Sequence, residues 1–390
     1  MKALFINRAF GHFRIPVFVE LRKLFNDNIC FVYSEDVIKP TVKDMITEHL
    51  GTCAIGMKGE KTLVRIGRDG PGFSNRRLLV KYQPGLLSLI RYHKPDVVIT
   101  EGFSQWALPA IVYRTMMQKT MVVGYQRTYH TERYAQWYRR FYRRMVAKYV
   151  DAFYCNGSLS KEYIESMGVN SDRIVVSGHA TDVKGFMKRC SSFAEHQKKT
   201  MRKRLGIRGT MFLYVGRLIE LKGIEQLIDA WYELGSRCGD ATLVLVGDGP
   251  QREALEAKAR RYGLDNVRFI GKVEYDNLYE FYSICDVFVI PTLEDNWSVV
   301  VMEAMASGLP IMSSIYNGCY PELVHKGVNG AVFDPFNKKE LALKMRQFIG
   351  NQPIINRMGD ASREIIRRYT PGRVARAIYE ACRIAMNGSH

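Results

Sequence analysis

The sequence predicts an α/β protein built from two tandem Rossmann-like domains, each a parallel sheet covered by helices on both faces. Three observations carry this. Short, near-continuous apolar runs alternate with longer amphipathic stretches, the pattern of strands buried on both faces by crossover helices. The alternation occurs once in the first half of the chain and again in the second. At 390 residues, with 47% hydrophobic and 25% charged residues, the composition is globular and the length exceeds one ordinary core.

In chain order, KALFIN is a first strand. It breaks at Asn7 and Arg8, without the long apolar core and cleavage site of a secretory signal. NRAFGHFRIPVFVEL then sets a flexible loop at Gly11 before a helix opened by Pro16, where backbone N–H groups can approach a ligand. NICFVYS, PDVVITEG and TMVVGYQ are further strands, with Glu101 at the C-terminus of the second of them. TERYAQWYRRFYRRMVAKYV is an amphipathic helix whose aromatics, among them Trp137, Tyr138 and Phe141, recur at three- and four-residue spacing beside a basic flank. Periodicity weakens over 184–209, which reads as a linker between a first domain, 1–183, and a second, 210–368. The second repeats the strand pattern in GTMFLYVG, ATLVLVGDG, NVRFIGKV, CDVFVIPT, LPIMSS and GAVFDP. Thr370 as N-cap and Pro371 at the first helical position begin a terminal helix over 369–386, which packs on the second domain or crosses back to the first. The closing Asn-Gly-Ser-His, 387–390, reads as a tag remnant.

The net charge of +18 is unevenly spread, with 30 Lys and Arg against 16 Asp and Glu in residues 1–190, and 27 against 23 in the remainder. A basic half attracts nucleic acid, an anionic membrane or a phosphorylated substrate. No zinc, helix-turn-helix or aromatic ribonucleoprotein signature accompanies the charge, which argues against nucleic acid. No run of about 18 apolar residues is present, so membrane contact is expected to be peripheral. The eight cysteines are scattered without a Cys-x-x-Cys pair and are expected to be reduced, buried and cytosolic. There is no Asp-x-Asp and no histidine pattern for a metal, so neither metal nor cofactor is expected.

The densest chemistry lies between Tyr214 and Pro335. YVGRLIELKG is a strand followed by a turn carrying Arg217 and Lys222, then a helix starting near Gly223. Strand C-termini opening onto helix N-termini hold phosphates, because free N–H groups and the helix dipole favour anions. Two cations there suit a diphosphate, the Arg as a bidentate fork and the Lys as a mobile point charge. The bland reading is a solvated surface turn. VIPTLEDNWSVVVMEAMASGLPI runs from a buried strand through an acidic turn into a helix ending before Gly308, with Asn296 or Ser298 able to cap it. If that helix were continuous, Asp295 and Glu303 would stand about 12 Å apart, farther than the roughly 5 to 9.5 Å of hydrolytic carboxylate pairs. Glu303 lies in an otherwise apolar helix, where a carboxylate needs a ligand or a partner; an internal ion pair is the alternative.

GRLIELKG, LVGDGP, FIGKV and DNWSVVVMEAMASGLP together resemble the donor domain of family 4 of the retaining GT-B glycosyltransferases. The resemblance implies two Rossmann-like domains whose sheets face each other across a deep cleft. It further implies that Asp295 meets the donor hexose, Glu303 the ribose, Arg217 and Lys222 the diphosphate, and Val273 the base. Asp295-Asn296-Trp297-Ser298 stands where the family usually carries Glu-Gly-Phe-Gly, and Val299 follows it. In similar transferases the Gly11 loop lies beside the donor phosphates, and a functional histidine is often placed after the strand here written TMVVGYQ. His130 or Arg127 fills that place, and Glu101 is a candidate for meeting the acceptor.

QRTYHTERYAQWYR also resembles transferases of bacterial surface polysaccharides, whose acceptors are often lipid-linked. The implied activity is retaining, metal-independent transfer of a hexose or N-acetylhexosamine from a UDP- or GDP-linked donor to a glycan or polyprenyl-diphosphate-linked acceptor. Arg139, Arg140, Arg143 and Arg144 are then the anionic-membrane contact of a cytoplasmic protein on the inner face of the membrane. Closure of the two domains would exclude water from the reaction. The alternatives are an inactive nucleotide-sugar-binding subunit, a nucleic-acid-binding protein, and a dinucleotide oxidoreductase. The last rests on the Gly-x-Gly of LVGDGPQR, where Arg252 replaces the third glycine.

Overall fold

The computed structural model describes residues 1–9, 11–66, 73 and 78–388. The chain forms two compact units, Met1–Thr181 with Tyr369–His390, and Asp182–Arg368. In the first, the elements run β1 (Ala3–Ile6), α1 (Ile15–Leu24), β2 (Ile29–Ser34), α2 (Pro40–Leu50), β3 (Ala54–Met57), β4 (Lys61–Ile66), β5 (Leu78–Tyr82), α3 (Leu86–His93), β6 (Val97–Glu101), α4 (Leu108–Met117), β7 (Thr120–Tyr125), α5 (Trp137–Ala147), β8 (Ala152–Cys155), α6 (Ser158–Glu165) and β9 (Ile174–Val176). A parallel sheet takes the order β3-β2-β1-β6-β7-β8-β9. β4 and β5 form a separate antiparallel pair.

Alternate residues of each strand feed opposite cores, as the two-residue period of a strand requires. Ala3, Phe5, Phe31, Val97 and Ile99 pack into one apolar cluster, while Leu4, Ile6, Val32, Val98 and Val123 pack into the other. Burial on both faces is why these strands read as unbroken apolar runs.

The second unit runs α7 (Val183–Ser192), α8 (Glu195–Arg204), β10 (Met211–Val215), α9 (Ile224–Leu234), β11 (Thr242–Val246), α10 (Arg252–Arg261), β12 (Val267–Gly271), α11 (Leu278–Ile284), β13 (Val287–Ile290), α12 (Val299–Ala306), β14 (Ile311–Ser314), α13 (Tyr320–Leu323), β15 (Gly330–Phe333), α14 (Lys338–Arg346) and α15 (Gln352–Ile366). Its parallel sheet has the order β12-β11-β10-β13-β14-β15. The direction of strand addition reverses between β10 and β13, as it does between β1 and β6 in the first sheet. Such reversals open a crevice beyond the strand C-termini, where α/β sheets take ligands.

Two sequence expectations need correction. The stretch 184–209 is not an open linker: it folds as α7 and α8 within the second unit. Only Met201 of α8 is buried, and a ten-residue helix with one inward residue leaves no stripe for periodicity to detect. The second correction concerns cysteine burial, since Cys30, Cys53, Cys190 and Cys238 are only partly buried, although all eight are free thiols.

The terminal helix α16 (Pro371–Asn387) belongs to the first unit. The Thr370 side chain accepts from the Arg373 N–H and starts it. Val374, Ala375, Ile378, Ala381, Cys382 and Ala385 then enter the cluster of Ile15, Phe18 and Leu21 on α1 and Phe25 at its C-cap. Phe25 meets Tyr379 edge-on at 5.0 Å between ring centroids.

Candidate functional site

The reversal point of the second sheet gathers most of the predicted donor residues. The chain leaves β10 through Gly216 and Arg217, and leaves β13 through Pro291 to Ser298. Gly223 lets these loops approach, and Gly247, in the loop leaving β11, lets that loop approach the one leaving β10. Gly223 has φ +65°, and a Cβ there would lie 2.1 Å from the Pro291 carbonyl oxygen. At Gly247, with φ +137°, it would lie 1.8 Å from the Gly216 carbonyl oxygen. A side chain at Gly223 would push the β10 and β13 loops apart, and one at Gly247 the β10 and β11 loops.

Lys222 donates to Asp295 Oδ2 at 2.5 Å, and the Ser298 hydroxyl donates to the same oxygen at 2.7 Å. The Trp297 N–H reaches Oδ1 at 3.2 Å. Burial pushes the Asp295 carboxyl up, but Lys222 and these two donors outweigh it and hold the group below the usual aspartate range. Expected at the sugar and the diphosphate respectively, Asp295 and Lys222 are paired with each other. Arg217 is exposed, and its guanidinium has no ion pair to a described residue. Beneath it, buried Tyr214 donates to the Arg217 carbonyl at 3.0 Å, fixing the turn. The cationic fork is therefore open to an anion, on a backbone already set.

The acidic helix is shorter than expected. α12 starts at Val299, Ser298 is its N-cap, and the Ser298 hydroxyl serves Asp295 rather than the helix end. The continuous-helix estimate of the Asp295–Glu303 separation therefore does not apply, because Asp295 to Trp297 lie outside the helix. Gly308 does take the left-handed position after α12, at φ +78°. Glu303 is 4% exposed and accepts from the Tyr282 hydroxyl at 2.9 Å. Its burial raises its pKa to about 7, against the Tyr282 bond and the positive charge of Arg189. Tyr282, on α11, went unnoticed in the sequence because LYEFYSI reads as an ordinary core helix. Trp297 is buried and Asn296 partly so. Val273, two residues past β12, and Val299 are partly buried in the same unit.

In the first unit, Gly11 lies in the loop leaving β1 and accepts the Arg14 N–H at 2.9 Å. Glu101, at the end of β6, is the hub of a buried network. Arg14 Nη1 and the Tyr154 hydroxyl donate to its Oε1 at 2.6 and 2.5 Å, and Gln126 Nε2 donates to Oε2 at 3.3 Å. His179 lines a small cavity together with Arg14, Gln126 and Tyr154 of this network. Burial and the Arg14 charge push it down to about 3, so it is a neutral imidazole at physiological pH. Arg14, Tyr154 and His179 were missed because they are far apart in sequence and belong to no motif.

The two histidine-position candidates behave differently. His130 is partly buried in the turn after β7, where its carbonyl accepts from Arg133. Arg127 lies 3.2 Å from Glu132, which is buried and also pairs with Arg143. That pair overturns part of the membrane expectation, since Arg143 turns inward on α5 as the partner of a buried carboxylate. Arg140 and Arg144 are exposed and Arg139 partly so. Trp137 and Phe141 are 78% and 62% exposed, although an aromatic stripe normally faces the core. No helix among the described residues is long and apolar enough to cross a membrane. No group of three or more His, Cys, Asp and Glu side chains that could hold a metal ion occurs among the described residues.

Residues 197–365 match the family model described as "Glycosyl transferases group 1", and residues 49–184 match "Glycosyltransferase Family 4". An uncharacterized glycosyltransferase of Methanocaldococcus jannaschii is 32% identical over 197 residues, 49% of each chain. A GDP-mannose-dependent alpha-(1-6)-phosphatidylinositol monomannoside mannosyltransferase of Mycobacterium tuberculosis is 32% identical over 171 residues, 42% of this chain and 44% of that one. The matches thus span about half the length of these curated relatives or less. Among solved structures, Anabaena HepE in complex with UDP superposes with a TM-score of 0.77 at 18% identity, covering 98% of this chain and 100% of that one, a likeness of fold.

Proposed function

We propose, for a chain that belongs to the family 4 glycosyltransferases and has the GT-B fold, that it transfers a hexose or N-acetylhexosamine with retention from a UDP- or GDP-linked donor. The observation that carries this reading is the open Arg217 guanidinium beside the Lys222–Asp295 pair at the reversal point of the second sheet. A nucleoside diphosphate entering there meets Arg217 and draws Lys222 onto its second phosphate, releasing Asp295 to accept from a sugar hydroxyl. Glu303, once ionised, accepts from the ribose hydroxyls. As the bond from the anomeric carbon to the diphosphate breaks, negative charge grows on the leaving oxygen, where the two cations stabilise it without a metal. The acceptor oxygen forms its bond on the same face, and its proton passes to the departing phosphate.

We assign the acceptor to the first unit, as a glycan or a polyprenyl-diphosphate-linked saccharide in surface-polysaccharide synthesis. Support comes from the exposed Trp137, Phe141, Arg140 and Arg144 of α5, which suit the surface of an anionic membrane. The mycobacterial relative's name, with its phosphatidylinositol acceptor, agrees with a lipid. On this reading the protein works at the cytoplasmic face of the membrane, with no cofactor.

Titration calorimetry with UDP, GDP, ADP and dTDP compounds tests the assignment. Binding of one nucleotide, its loss in Lys222→Ala, and a product of unchanged anomeric configuration insensitive to chelator are expected. No heat with any of the four would overturn it.

A further inference from the structure

We infer that a groove between the β4–β5 strand pair and helices α3 and α4 seats one hydrocarbon chain of the lipid that carries the acceptor. The inference rests on the lipid-linked reading above and adds to it a binding place on the first unit. The groove has a volume of about 450 Å³, with Leu63, Val80, Tyr82, Leu86, Trp106 and Val112 in its lining. Its floor is built to stay open. Trp106 is 2% exposed, and its indole N–H donates to Glu60 at 3.0 Å. Glu60 is in turn held by Arg8 at 2.6 Å and lies 3.6 Å from Lys81. A tryptophan pinned at its polar edge cannot rotate to fill the hollow, so the apolar walls remain wet until something covers them.

The surroundings indicate what covers them. Leu108 and Val112 line the groove and continue along α4 to Met116, three exposed residues at four-residue spacing on one helix face. On α5, Trp137, Phe141 and Met145 repeat the same exposed spacing. Both helices cover the same face of the sheet, since Ala110 and Tyr113 of α4 and Ala147 of α5 share one core cluster. Neither helix contains an acidic residue, while Arg140, Arg144 and Lys148 are exposed at α5. Aromatics and cations without acids fit the boundary between anionic headgroups and hydrocarbon. A bilayer surface could cover the two stripes, but it reaches the concave groove only by letting a chain enter it. A protein partner would need an acidic, aliphatic face and no lipid.

The test uses the whole protein, with Trp137→Phe to silence the exposed tryptophan, and dodecyl phosphate brominated at the chain end, below its micelle concentration. Saturable quenching of Trp106 is expected, together with its weakening by about tenfold in Leu63→Glu/Val112→Glu, both exposed positions. Thermal melts of that variant should match the parent. No quenching, or quenching indifferent to the two glutamates, overturns the inference. So does self-association of the protein that shields Trp106 and is broken by the same substitutions. UDP or GDP titrations on the same samples separate the outcomes: nucleotide binding without chain binding sinks the groove and spares the transferase reading.

Discussion

Glu303 is the residue whose chemistry depends most on its surroundings. Its folded pKa near 7 lies above the ordinary glutamate value, so the native state holds a proton that the unfolded chain releases from about pH 4.5 upward. Its contribution to stability is therefore full below about pH 4.5 and falls as pH rises to 7, by on the order of 3 kcal/mol. Glu303→Gln keeps an acceptor for Tyr282 and should flatten this slope, as measured by urea unfolding at pH 5 and 7.5. Nucleotide affinity should move the opposite way, strengthening between pH 6 and 8 as the carboxylate forms, and this dependence should vanish in the same variant. Lys222→Ala removes the cation proposed to meet the leaving group and strands Asp295; turnover should fall by roughly 10² to 10³, with circular dichroism unchanged. Glu303→Ala should also abolish transfer. Asp295, Lys222, Arg217 and Glu303 were nominated from the sequence because they sit at fixed spacings within short segments. Their pairing was not, since the Lys222–Asp295 contact joins residues 73 apart in sequence.

Helix α5 shows how an element can be read correctly in kind and wrongly at one residue. Its spacing of aromatics and arginines announced an amphipathic helix, yet the usual rule would have turned the aromatics inward. The structure turns Arg143, Val146 and Ala147 inward instead. The cause is Glu132, a buried carboxylate that requires a cation and takes Arg143 and Arg127. A composition count cannot separate one arginine of four when the deciding partner lies in a turn outside the helix. Arg140→Ser/Arg144→Ser/Lys148→Ser should leave the melting curve in place and reduce sedimentation with anionic vesicles, each charge contributing about 1 kcal/mol. Arg143→Ser should destabilise the fold by roughly 3 to 5 kcal/mol, read from the urea midpoint, with any change in vesicle binding following from that loss. Co-sedimentation unaffected by the triple change would remove α5 from the membrane.

At the scale of the molecule, the alternation of strands and helices was legible throughout, and with it two parallel sheets. What periodicity could not reveal was the destination of α16, because an apolar stripe states that a helix is covered and not by which surface. Its stripe belongs with α1, in the core of the first unit. Ile378→Ala should accordingly cost about 2 to 5 kcal/mol and expose first-unit sites to protease, while the nucleotide affinity of the second unit stays unchanged. The same return of the chain orders events during translation. The second unit, Asp182–Arg368, has all its residues before α16 leaves the ribosome. The first unit must wait with one flank of its sheet uncovered until its closing helix has been synthesised. A released chain ending before residue 371 should therefore present a folded second unit alongside a sticky, chaperone-dependent first unit.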